Sequence, residues 1–205
     1  MSEFLQHDDA RKNRILEAAL IEFSDKGYKK ASTNTIVREA KVSKGLLFHY
    51  FISKKELYIH IYNFALDTIT NELYAGVNFA DRDVLSRLYA STLQKIESYT
   101  KHDLFTSLFE KHAFVEDEEI IERTASASVK YSNESYTKIF TDIDYFLFNE
   151  KVNIDRSLDV VKWTIDRISF DWIKKHGNTY QAEAFDELRE EIEVYLDLFR
   201  DALYK

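Results

Sequence analysis

Apolar residues recur at three- and four-residue intervals along most of the chain, the spacing of helices with one buried face. From Asp9 to Lys26, Ile15, Leu16, Ala19, Leu20 and Phe23 share a face, with Arg11, Lys12, Arg14, Glu17 and Glu22 elsewhere. Gly27 then supplies a left-handed cap. A short helix follows from Ser32, its N-cap, to Ala40, with Ile36, Val37 and Ala40 at helical spacing. Only Lys41, Val42 and Ser43 separate it from a second short helix, Lys44 to Phe51, capped by Ser43, with Val42, Leu47 and Phe51 inward. Helices joined so tightly cross steeply, as in a helix-turn-helix, with the second as the reader.

A fourth helix opens at Ser53 with Glu56 three residues on, a capping box. Leu57, Ile61, Phe64, Ile69 and Leu73 continue it to Gly76, and Tyr58, Ile59 and Tyr62 make it apolar nearly all round, as a helix buried between modules would be. Further helices are expected over 81–99, 103–114 and 118–148. The long one is apolar at its ends, but its middle, TASASVKYSNESYTK, is small and hydroxylic, which predicts either a close helix crossing or room for a ligand. From Asp155 to His176, Leu158, Val161, Ile165, Ile168 and Trp172 form one stripe and Val160, Trp163 and Phe170 an opposite one, so this helix requires two partners. After a break at Gly177-Asn178, Phe185, Leu188, Ile192, Tyr195, Leu196, Phe199 and Leu203 mark the last helix. These two helices could form a hairpin that meets its copy across a two-fold axis.

Composition agrees with an all-α chain: 205 residues hold no Pro and four Gly. There is no Cys, hence neither a disulfide framework nor a thiolate metal site, and a reducing cytoplasm is the default location. No apolar run approaches a membrane span or a signal peptide, which predicts a soluble protein. The formal charge is −8, yet Ser32 to Lys55 carries Arg38, Lys41, Lys44, Lys54 and Lys55 against Glu39 as its one acid. Residues 1–62 hold 11 basic and 8 acidic side chains, the remainder 17 and 28. A basic island in an acidic chain suits phosphate contact, although lysines on a helical corner are also what a solvated surface looks like. Arg11, Lys12 and Arg14 at the start of the first helix pose the same choice.

The run from Ala18 to Tyr58 resembles the DNA-binding domain of TetR-type transcriptional repressors. The resemblance lies in Gly27-Tyr28 ending the first helix, Gly45 near the start of the reading helix, the aromatic cluster Phe48-His49-Tyr50-Phe51, and Lys54 to Leu57 opening the fourth. It implies an all-α fold in two parts: residues 1–53 as a three-helix helix-turn-helix domain, and residues 54–205 as a larger helical domain for effector binding and dimerisation. Ser32, Thr33, Asn34 and Thr35 would orient the first motif helix on phosphates, while Lys44 and Gly45 would lead the second into the major groove. His49 and Tyr50 match contact positions, and Lys54 would sit beside the backbone. Leu46 and Phe48 depart from the commoner pattern: Leu46 offers only apolar contact, as to a thymine methyl, and Phe48 lacks a hydroxyl and suits core packing.

The resemblance further implies a homodimer through the last two helices, bound to a palindromic double-stranded operator and released as a repressor by a small apolar or aromatic effector. Large rings beside small side chains place that effector near Phe105, Phe109, Tyr131, Ser132, Tyr136 and Trp163, and the continuous fourth helix would carry its effect to the DNA. No cofactor is implied. No catalytic constellation is present, and His102, Asp103, Glu110 and His112 have the wrong spacing for a metal site on one helical face. The alternative is a helical small-molecule-binding or enzymatic protein that does not bind DNA.

Overall fold

The computed structural model describes residues 9–176 and 182–205; the expected break at Gly177-Asn178 lies outside them. Among the described residues the helices are α1 (Ala10–Lys30), α2 (Thr33–Glu39), α3 (Lys44–Phe51), α4 (Lys54–Ala75), α5 (Val84–Lys101), α6 (Asp103–His112), α7 (Glu118–Phe140), α8 (Ile154–His176) and α9 (Ala182–Leu203). The chain divides into two compact units: residues up to Asn71 with Lys101–Asn133, and Glu72–Thr100 with Glu134–Lys205.

The first unit is organised on α1. Ile15, Leu16, Ala19 and Phe23 are fully buried, on the stripe that their spacing predicts. Asp9 caps the helix by accepting from the Arg11 N–H. At Gly27 the backbone turns to φ 69° and ψ 172°, a conformation that side chains with a Cβ adopt only under strain. Gly27 therefore ends the long apolar face, and Tyr28 to Lys30 form a separate turn. Ile36 of α2, Leu47 of α3 and Leu57 and Ile61 of α4 close the same core, together with Leu108 of α6 and Ile120 of α7. The Ser24 hydroxyl ties α1 to α6 through the Leu104 carbonyl at 2.8 Å.

A line of polar contacts joins α4 to α6 and α7. The Tyr58 hydroxyl lies 3.1 Å from His112 Nδ1, His112 Nε2 lies 3.0 Å from Thr124 Oγ1, and one turn on the Tyr62 hydroxyl lies 3.3 Å from Ser128 Oγ. The Thr124 hydroxyl donates to the Ile120 carbonyl at 2.7 Å, so it accepts from Nε2–H, which leaves Nδ1 to accept from Tyr58. In the second unit the Tyr74 hydroxyl donates to Ser135 Oγ at 3.0 Å. The hydroxylic middle of α7 thus serves tyrosines of α4, while Ala125, Ser126 and Val129 on its other side are exposed.

In the second unit, Leu85, Leu88 and Ile96 of α5 pack with Ile139 of α7 and with the buried stripes of α8 and α9. The expected helix 118–148 stops at Phe140. Asp142 is left-handed at φ 54°, and the Arg87 guanidinium, 2% exposed, takes up the free carbonyls of Ile139 at 3.0 Å, Thr141 at 2.6 Å and Asp142 at 3.3 Å, along with that of Phe79 at 2.8 Å. Tyr145–Leu147 is a separate 3-10 turn capped by Asp144. On α8, Leu158, Val161, Ile165, Ile168 and Trp172 are buried and Val160, Trp163 and Phe170 exposed, the division predicted from the two stripes. Among the described residues no helix is long and apolar enough to cross a membrane.

Candidate nucleic-acid interface

Each helix of the pair α2–α3 begins on a serine cap. Ser32 accepts from the Thr35 N–H at 3.4 Å and Ser43 from the Leu46 N–H at 3.2 Å; such caps each contribute about 1 kcal/mol. The Ser32 N–H itself donates to the buried Glu22 carboxylate at 2.9 Å, which fixes where α2 starts on α1. At the other end, Arg14 Nε donates to the Ala40 carbonyl at 2.9 Å. Arg14 thus caps α2, and Arg11 turns back to Asp9, so two of the three cations at the start of α1 serve local structure.

The outer surface of the pair carries the expected residues. Asn34, Lys44, Gly45 and His49 are exposed, while Ser32, Thr33, Thr35, Leu46 and Tyr50 are half-buried. Lys44 Nζ donates to Asn34 Oδ1 at 3.0 Å, linking the two helices across their outer side. Phe48 packs against the core, in line with its missing hydroxyl. A Cβ placed on Gly45 would meet only Ser43 Oγ, at 4.0 Å, so nothing inside the protein requires glycine there.

Two expected contact residues have internal partners. The Tyr50 hydroxyl donates to the Asp9 carboxylate; hydrogen bonds from Tyr50 and Arg11 hold that carboxyl well below the usual range, and the same bond raises the Tyr50 phenol. Lys54 Nζ lies 4.8 Å over the Tyr28 ring and donates to the Lys29 carbonyl at 3.4 Å, and partial burial lowers its pKa. The pattern of the chain gave no sign of the Asp9–Tyr50 link, since 41 residues separate the partners.

The residues expected to line an effector site are divided. Phe105, Phe109, Tyr131 and Ser132 belong to the first unit, Tyr136 and Trp163 to the second. Phe105 is buried, stacked on His102 at 5.0 Å and edge-on to Phe64, while Phe109 meets Tyr62 edge-on at 5.2 Å. Tyr136 is occupied within its own unit: its hydroxyl donates to Asp166 at 2.7 Å, and Lys162 Nζ lies 4.6 Å over its ring. Trp163 is 61% exposed, in a shallow groove of about 320 Å³ with Val160, Thr164 and Tyr195, rather than in the core. His112 has both ring nitrogens engaged and, by burial, a lowered pKa.

Residues 15–61, which contain this surface, match the pattern of the bacterial regulatory proteins of the tetR family. This stretch is of the TetR type. A curated relative is the HTH-type transcriptional activator FasR of Mycolicibacterium smegmatis, 31% identical over 140 residues that cover 66% of this chain and 59% of FasR. The chain spans less than two thirds of the length of the curated relatives it matches, 59% at most among FasR and two others. Among solved structures, a TetR-family regulator from Rhodococcus sp. is similar with a TM-score of 0.69 at 17% identity, covering 94% of this chain and 100% of the other. FadR of Bacillus subtilis in complex with stearoyl-CoA is similar with a TM-score of 0.65 at 14% identity, covering 91% and 96%. At such identities the likeness is one of fold, and it spans both units.

Proposed function

We propose that this chain is a DNA-binding transcriptional regulator in which residues 1–53 read a palindromic operator and residues 54–205 bind an effector and dimerise. The observation that carries the reading is Gly45. Glycine is a poorer helix former than alanine, and here, in the first turn of α3, no internal neighbour demands it. Its use is explained by a close approach from outside, on the exposed face that also presents Asn34, Lys44 and His49, with Ser32, Thr33, Thr35, Leu46, Tyr50 and Lys54 around it. The test is fluorescence anisotropy with a labelled duplex at a series of salt concentrations. Lys44→Ala should weaken binding to all sequences alike and lower the salt slope by about one unit per lysine in each protomer. Unchanged affinity at low salt would remove Lys44 from the interface.

The homodimer is supported by the outward apolar stripe of α8, Val160, Trp163 and Phe170, with Val194 and Leu198 exposed on α9. Effector binding by residues 54–205 is supported by the likeness to FadR, whose structure holds stearoyl-CoA, and in this reading an apolar effector relieves repression. The lining proposed for it within the first unit is Phe105, Phe109, Tyr131 and Ser132. An effector regulates only by binding one conformation better than another. Operator affinity measured with and without acyl-CoA thioesters tests this, and equal values would dismiss that class of effector.

A further inference from the structure

The end of α1 carries two cations that neither helix electrostatics nor strong ion pairing accounts for. A lysine in the last turn of a helix ordinarily complements the free carbonyls there. Lys29 and Lys30, however, follow Gly27, where φ 69° has already ended the long run of α1. Lys29 pairs with Glu116 at 3.0 Å, but the two side chains are 82% and 79% exposed, and an ion pair so open to solvent holds its partners only weakly. Lys30 is exposed and has no ion partner among the described residues.

The turn that carries these lysines is nevertheless tied down on both sides. On one side Lys54 spans the Tyr28 ring and the Lys29 carbonyl, which ties the turn to the start of α4. On the other, Glu22 fixes the Ser32 N–H at the cap of α2. Lys29 and Lys30 therefore adjoin the two elements assigned above to phosphate contact. They also line a cleft of about 710 Å³ with Lys26 and Lys111, yet Asp25, Glu116 and Asp117 line it as well. Three carboxylates disfavour a small anion seated inside, whereas two adjacent exposed lysines suit a run of phosphates passing the edge.

We propose that Lys29 and Lys30 form a second phosphate-contacting locus for duplex DNA, and that Glu116 occupies Lys29 in the free protein and gives it up on binding. The inference rests on the DNA-binding reading above. Its geometry makes the α6–α7 connector, which holds Glu116, a competitor for the same cation that the DNA engages.

The test uses the full chain and a labelled duplex of mixed sequence, with binding followed against sodium chloride. The double variant Lys29→Ala/Lys30→Ala should reduce the salt slope by about two units per protomer, because each phosphate contact releases about one counterion. Glu116→Gln should tighten binding several-fold at low salt. Lys111→Ala, which keeps the Cβ facing Gly27, should leave the slope as it is. An unchanged slope in the double variant, with wild-type protein binding normally, overturns this locus and leaves the DNA reading intact. An equal drop in Lys111→Ala overturns it too, since a diffuse field would then suffice. Unchanged affinity in Glu116→Gln overturns the competition, and wild-type protein that binds no duplex overturns both readings.

Discussion

At Gly45, stability and function are expected to oppose each other. With open space around its Cβ position, Gly45→Ala in the first turn of α3 should raise stability by a few tenths of a kcal/mol while lowering DNA affinity, a pairing that thermal melting and anisotropy together would reveal. Arg87 is the converse, a residue whose role is internal. Its charge is buried among backbone carbonyls at the end of α7, so Arg87→Met should leave those carbonyls unsatisfied and cost about 3 kcal/mol or more, read as a lowered denaturation midpoint. His112 gives the fold a pH dependence. Faced by Tyr58 and Tyr62 from α4 and Thr124 from α7, it is kept neutral by burial, and its pKa is below the ordinary value. The unfolded chain then binds the extra proton more readily. The stability from this residue is present above about pH 6.5 and is lost as pH falls below it, so melting temperature should drop with acidification more in wild type than in His112→Asn. None of the three roles could be read from spacing. Each depends on what lies opposite the side chain: open space for Gly45, a helix end 52 residues away for Arg87, and two other helices for His112.

Among elements, legibility followed how completely a helix is described by its own face. The stripe of α1, the serine caps of α2 and α3, and the two faces of α8 all emerged from spacing, because each depends on residues within one or two turns; Gly27, expected to cap α1 in the left-handed region, instead kinks it, and a further helical turn runs on to Lys30. The end of α7 did not emerge from spacing either. Apolar residues continue past Phe140 as Ile143, Phe146 and Leu147, and it is Arg87 on another helix that supplies donors to the carbonyls at its end; Phe146, expected within the helix, is instead exposed in the 3-10 turn. The small residues of α7 were ambiguous for a similar reason, since a threonine or serine does not reveal that a tyrosine hydroxyl is its neighbour. The candidate DNA surface was largely legible through its resemblance to a known pattern, yet the internal partners of Tyr50 and Lys54 were not. The contact between α4 and α6 can be tested directly: Tyr58→Phe removes the donor to His112 Nδ1 and should cost about 1 kcal/mol in urea denaturation, without changing the helical signal of the native state.

For the whole molecule, the proposed dimer assigns assembly to the outer stripes of α8 and α9 and folding to the inner ones. Trp163→Glu or Leu198→Glu should give a folded monomer in sedimentation, because both side chains are exposed, whereas Leu196→Glu should unfold the second unit by burying a charge without a partner. A Trp163→Glu protein that still sediments as a dimer would move the interface elsewhere. The two compact units are interleaved in sequence, and this has a consequence for synthesis. The reading helices emerge from the ribosome before α6 and α7, but the face of α1 that they share is closed by α6 and the first half of α7, which complete their unit only at Asn133. By then the chain for Glu72–Thr100, which belongs to the other unit, has already been made and must wait for Glu134–Lys205. Nascent chains shorter than about this length would display Phe23, Tyr58 and Leu57 uncovered, a natural target for chaperones during translation.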